Sequence, residues 1–147
     1  MEFEIKAMQP EDVPAVARLE TVSFSHPWSE NALMESLQTP NYYFFTAKKD
    51  GNLVGYVGAY LAADELSITN IAVFPLWKRK GIGALLLKSL DEIAVWRSLY
   101  GITLEVRVSN AAAIALYEKA GYQGAGVRKR FYDNPTEDAL IMWKYFS

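Results

Sequence analysis

Apolar and polar residues alternate at the start of the chain, with Phe3, Ile5 and Ala7 set against Glu2, Glu4 and Lys6. That period of two predicts a short strand over residues 2–8. Pro10 stands near the start of a helical pattern running through Asp12, Val13, Val16, Leu19 and Glu20. Ser29 is a candidate N-cap for a second helix, whose apolar face is Leu33, Met34 and Leu37. A strand-rich centre follows. Tyr42–Lys48 is aromatic and β-prone, and Asp50-Gly51-Asn52 is a hairpin signal. Leu53–Leu61 forms a second strand, and Leu66–Phe74 forms a third that Pro75 closes.

The period then changes. Ile82, Leu85, Leu86, Leu90, Ile93 and Ala94 recur at helical spacing, and Gly101 is the stop signal after them. Ile102–Val108 returns to alternation, with Leu104, Val106 and Val108 opposite Thr103, Glu105 and Arg107. Asn110 opens an alanine-rich helix that Gly121 terminates. Two tail strands, near 122–132 and 137–146, flank Asp133-Asn134-Pro135. The order β-α-α-β-β-β-α-β-α-β-β predicts a mixed α/β chain. Its central βαβ unit, residues 66–108, requires two parallel strands joined by a right-handed crossover.

No linker or repeat divides the 147 residues, which suits one domain over 1–147. A net charge of −2 disfavours a protein that coats nucleic acid. Without cysteine there is no thiolate metal site and no enzyme thioester, and a single histidine, His26, cannot build a two-histidine zinc site. No metal is therefore expected. The acidic start lacks an apolar core segment, so no signal peptide or membrane contact is expected and the location is read as cytoplasmic.

Between the third strand and the long helix lies Lys78-Arg79-Lys80-Gly81-Ile82-Gly83. A helix start offers free N–H groups and partial positive charge to an anion, and glycine lets a phosphate approach the backbone. The loop is not a Walker loop, because Ala84-Leu85 stand where Lys and Ser or Thr are needed. Nor is it a dinucleotide fingerprint, because position 86 is Leu.

Taken with Ile68–Val73, Leu104–Arg107 and Ser109–Tyr122, this loop resembles the GNAT family of N-acetyltransferases. Residues 104–122, Pro27-Trp28-Ser29 and Glu137-Asp138-Ala139 are similar in particular to its ribosomal-protein alanine N-acetyltransferase (RimI) type. The resemblance implies the GNAT fold: a mixed sheet of about seven strands with about four helices, and parallel strands that splay at the centre. It implies acetyl-CoA as co-substrate, its pyrophosphate on the amides of Arg79, Lys80, Gly81, Ile82, Gly83 and Ala84. The pantetheine arm would lie along Ile71, Ala72 and Val73 like an added strand. Lys78 departs from the Gln or Arg usual at that position.

The same resemblance makes Glu105 the general base, acting through water, and Tyr117 the general acid. The Val73 amide would polarise the carbonyl, and Asn110 would contact the cofactor arm. Without cysteine, direct transfer in a ternary complex is the expected route. An α-amine, with a reference pKa of about 7.7–8.0, sheds its proton more readily than a lysine at about 10.4. That favours a protein N-terminus as acceptor, the N-terminal alanine of a small-subunit ribosomal protein among the candidates. Trp28 and Tyr132 would line the acceptor groove, with Asp133, Glu137 and Asp138 favouring a basic peptide.

By position alone, Glu105 also reads as a strand carboxylate, Tyr117 as a core-edge aromatic, Asn110 as an N-cap and Trp28 as a buried staple. A small-molecule amine acetyltransferase and a non-catalytic acyl-CoA-binding regulator stay open beside the first reading. The assembly expected is a monomer or weak dimer without direct nucleic-acid contact.

Overall fold

The computed structural model describes residues 2–146; Met1 and Ser147 lie outside the described residues. The elements run β1 (Glu4–Ala7), α1 (Val13–Ser23), α2 (Glu30–Gln38), β2 (Tyr42–Lys49), β3 (Asn52–Ala62), β4 (Glu65–Val73), α3 (Ile82–Trp96), β5 (Gly101–Arg107), α4 (Ala111–Lys119), β6 (Gln123–Tyr132) and β7 (Glu137–Tyr145). One seven-stranded sheet has the order β1-β2-β3-β4-β5-β7-β6. This is the mixed α/β sheet expected from the pattern. No helix among the described residues is long and apolar enough to cross a membrane.

Local chemistry accounts for most boundaries. The Ser29 hydroxyl accepts the Ala32 N–H at 3.1 Å and starts α2, and the Asn110 side chain accepts the Ala113 N–H at 3.2 Å and starts α4. Asp50 and Gly51, with φ of 52° and 82°, make the left-handed pair that a tight β2–β3 hairpin requires.

Two expectations shift. Gly101 does not stop α3. The helix ends at Trp96, and Ser98 takes the left-handed conformation with φ 55°. Gly101 instead begins β5 where β7 crosses closely, so that a Cβ there would lie 2.9 Å from the Lys144 carbonyl oxygen. Val108 falls outside β5 and is exposed, because the strand ends at Arg107 before the turn into α4.

Alternation along the strands builds a core on each face of the sheet. Val57 packs with Leu86, Leu90, Leu104 and Tyr117 on one side. Its neighbour Tyr56 packs with Val16, Leu19, Leu33 and Phe44 on the other. Gly58 leaves room for the Phe44 ring, since a Cβ there would sit 2.5 Å from Phe44 Cε1. Gly58→Ala is expected to cost about 1–3 kcal/mol by overpacking, read as a lower denaturation midpoint with an unchanged slope. An unchanged midpoint would mean the ring is not held there.

Two features of β4 position the site. Against β3, Gly58 pairs with Asn70 and Ala59 with Ile68, which leaves Thr69 as a bulge. Against β5, parallel pairing covers only Glu65–Ser67 with Gly101–Thr103. Beyond Ser67 the two strands separate, as the family resemblance implies, and the β5-facing edge of β4 runs unpaired through Ile71 to Val73.

Candidate active site

The loop before α3 is the first part of the site. Arg79 and Gly81 both have positive φ, 64° and 83°. Successive amides in such a conformation turn toward a common centre and form an anion-holding concavity. None of the amides of residues 79–84 donates to a backbone carbonyl or a capping side chain among the described residues. Arg79, Lys80, Gly81 and Ala84 are exposed, whereas the Ile82 side chain is buried in the core, so Ile82 offers only its amide.

The two glycines have different duties. A Cβ on Gly81 would meet nothing within 4 Å, so its backbone conformation is what requires glycine. A Cβ on Gly83 would lie 2.9 Å from Leu116 Cδ2. Gly83 is therefore also a seat for α4. That contact sets the loop beside Leu116, the residue before Tyr117.

The unpaired β4 edge is the second part. Ile71 and Val73 are half-buried against the α3-side core. The Ala72 side chain points the other way, into the core under α1, so only its backbone reaches this edge. Free amides at a helix start and a free strand edge together suit an elongated ligand with an anionic end and an amide-bearing arm.

The third part is the polar cluster beyond the splayed strands. Glu105 is partly buried on β5, and Arg128 Nε on β6 donates to its Oε2 at 3.2 Å. Its Oε1 has no partner among the described residues and can face a water or a substrate. Tyr117 is buried on α4, edge-on to Tyr122 at 5.9 Å between centroids. Its hydroxyl has no partner among the described residues and, unlike that of Tyr122, is not sealed from solvent. Burial, with a smaller push from Tyr132, raises the Tyr117 pKa above its ordinary range. Burial also raises that of Tyr132; Glu105 and Glu137 add to the shift, and Arg107 opposes it. Tyr132 thus acts on Tyr117 and is itself acted on by Glu105.

Arg107 holds this cluster's outer wall. Its guanidinium lies 4.5 Å from the Tyr132 ring centroid and donates to Pro135 O, Glu137 Oε1 and Asp133 O at 2.8–3.2 Å. Glu137 Oε2 accepts the Ser109 N–H at 2.8 Å, and this bond, with Arg107 beside it, holds the Glu137 carboxyl below its usual pKa. Asp138 accepts from the Arg130 amide and pairs with Lys129, and Asp133 pairs with His26 at 2.8 Å. The acidic residues Asp133, Glu137 and Asp138 are each paired within the protein.

The His26–Asp133 contact joins the α1–α2 loop, which carries Trp28, to the β6–β7 turn, which follows Tyr132. Trp28 is half-buried, edge-on to Tyr42 and Phe44 at 6.3 and 6.4 Å. Asn110 is an N-cap, as its position allowed; its Oδ1 is taken, and its Nδ2 makes no bond among the described residues. Sequence reasoning missed Arg107 and Arg128. Arg107 lies two residues along β5 from Glu105, hence on the same face, and that spacing was the available signal.

Residues 13–122 match the acetyltransferase (GNAT) family. A Bacillus subtilis (strain 168) protein provisionally assigned as a ribosomal protein bS18-alanine N-acetyltransferase is 39% identical, over 95% of this chain and 93% of its own. The Escherichia coli (strain K12) ribosomal protein bS18-alanine N-acetyltransferase is 36% identical over 94% of each chain. The crystal structure of the ribosomal-protein-S18-alanine N-acetyltransferase from Escherichia coli superposes with a TM-score of 0.90, covering 99% of this chain and 95% of that one at 34% identity.

Proposed function

The chain belongs to the acetyltransferase (GNAT) family and is an acetyl-CoA-dependent N-acetyltransferase, and from that premise we propose that its acceptor is the N-terminal alanine of a ribosomal protein of the bS18 kind. The unpaired edge of β4 beside the free amides that open α3 carries this reading. Support for the acceptor comes from relatives named for bS18 alanine over nearly the whole chain. A cytoplasmic location goes with it.

In this reading the amides of residues 79–84 hold the pyrophosphate of acetyl-CoA, and the backbone of Ile71–Val73 pairs with its amide-bearing arm. Bound acetyl-CoA supplies the activated acyl group. Glu105 takes the proton of the incoming ammonium through a water at Oε1, while Arg128 steadies Oε2. The Val73 N–H faces the carbonyl oxygen as negative charge grows there. Tyr117 donates a hydrogen bond to the departing sulfur. A thiol, with a reference pKa near 8.5, is a stronger acid than a phenol near 10. Burial widens that gap. Tyr117 therefore stabilises the thiolate as a donor, and solvent completes its protonation. Trp28 and Tyr132 flank the acceptor's first residue.

Acetyl-CoA turnover on a peptide copying the N-terminus of the host's bS18 tests this. Turnover is expected with the free N-terminal alanine and absent when that amine is blocked, even with lysines present. Equal rates on both peptides would overturn the proposal. Turnover of polyamines or amino sugars with none of peptides would favour a small-molecule acceptor.

A further inference from the structure

Glu20 on α1 has 0% exposure, in the core formed by Val16, Leu19, Leu33 and Phe44. Three donors from three segments converge on it. The Trp28 backbone N–H reaches Oε1 at 2.8 Å. The Tyr56 hydroxyl on β3 and Asn70 Nδ2 on β4 reach Oε2 at 2.5 and 2.9 Å. No lysine, arginine or histidine pairs with Glu20 among the described residues. A carboxylate in an apolar core without a cation is costly compared with a leucine or methionine in its place. Such breaches of the core rule are expected where function requires them. Burial, then the charge and hydrogen bond of Glu20, push the Tyr56 pKa up, so that hydroxyl stays a donor.

Two of the donors belong to segments that the proposed reading sets around the acceptor. Asn70 adjoins the Thr69 bulge and precedes Ile71 on the free edge of β4. Trp28 lies in the loop that His26 ties to the β6–β7 turn. We propose that Glu20 is a positioning residue for the acceptor amine: it clamps the Trp28 loop to β4 and so sets the acceptor's distance from the thioester without touching either. This rests on the N-terminal acetylation reading above.

Only an acceptor at both oxygens satisfies all three donors. Glutamine cannot. Turning its oxygen to Trp28 orphans the Tyr56 O–H in the core; turning it to Tyr56 sets two donors face to face at Trp28. The loop amide can move out to water and Tyr56 cannot, so the loop is what gives way.

The test measures KM for both substrates in wild type, Glu20→Gln, Tyr56→Phe and the double variant. Glu20→Gln is expected to raise the acceptor KM about tenfold, the order of one lost hydrogen bond to a carboxylate, with the acetyl-CoA KM unchanged within about twofold. Tyr56→Phe keeps the acceptor KM near wild type, because Glu20 still holds Trp28. In the double variant the glutamine can give its oxygen to Trp28 and its NH2 to Oδ1 of a turned Asn70, so the acceptor KM returns toward wild type. A merely structural role predicts the opposite, a double variant worse than the single.

The proposal is overturned if the acceptor KM of Glu20→Gln equals wild type, if both KM values rise together, or if the double variant shows no recovery. Should Glu20→Gln fail to fold, amide exchange on the wild type decides. The Trp28 N–H must exchange slowly while those of Ser25 and His26 exchange fast, and a fast Trp28 amide overturns the clamp. Which amine the wild type accepts decides the functional reading separately; the clamp is judged on the variants' ratios for that amine.

Discussion

Replacing Tyr117 with phenylalanine is expected to lower kcat by about 10²–10³-fold, the range for one hydrogen-bond donor aimed at developing negative charge, and to leave the KM for acetyl-CoA nearly unchanged. The side chain is buried, so phenylalanine keeps its packing against Tyr122 and the core. Only the hydroxyl is lost, and among the described residues that hydroxyl has no partner whose loss could destabilise the fold. The pH profile adds a second readout. Burial disfavours the phenolate and raises the pKa, so the O–H persists above pH 10, and wild-type kcat is expected to show no alkaline fall up to that pH. A fall centred near pH 9 that disappears in Tyr117→Phe would contradict this. Loss of acetyl-CoA binding in the variant would show that its effect was structural.

Glu105→Gln is expected to lower kcat/KM by about 10²-fold at pH 7, with the deficit shrinking as pH rises. The reason lies in the acceptor. An α-ammonium with a reference pKa of about 7.7–8.0 is mostly charged at pH 7 and mostly free at pH 9. A missing base therefore matters most on the acid side. Glutamine can still accept from Arg128, so the β5–β6 contact survives. Kinetics between pH 6.5 and 9.5 on a free-amine peptide check this. A deficit that stays constant across that range would remove Glu105 from the proton path and make it a structural partner of Arg128.

The features legible in the sequence were those set by neighbours along the chain. The Asp50-Gly51 turn, the Ser29 and Asn110 caps and the alternation of Ile102 to Arg107 depend on residues within a few positions, and each stands where its chemistry put it. Glu105 and Tyr117 were nameable because of a resemblance spanning residues 104–122; spacing alone left them as a strand carboxylate and a core-edge aromatic. Features set by distant partners were not legible. Glu20 reads as one more position of the α1 pattern, because Tyr56 and Asn70 lie far along the chain. The same applies to Gly83, which answers to Leu116, and to Gly101, which answers to Lys144 and Trp143. Arg107 holds a turn that begins with Asp133, and no local rule connects them.

The short seam between β4 and β5 has a mechanical meaning. With only residues 65–67 paired to residues 101–103, the sheet is nearly two plates, β1 to β4 and the β5-β7-β6 triplet, riveted at one end. The free end of that seam is where native-state opening should begin at the lowest free energy. A strand-like ligand wedged there becomes a removable part of the sheet, so occupancy and rigidity are one equilibrium. At a concentration of 100 Kd it adds about 2.7 kcal/mol to global stability. In this protein the co-substrate would do the structural work of an eighth strand, one renewed at every turnover.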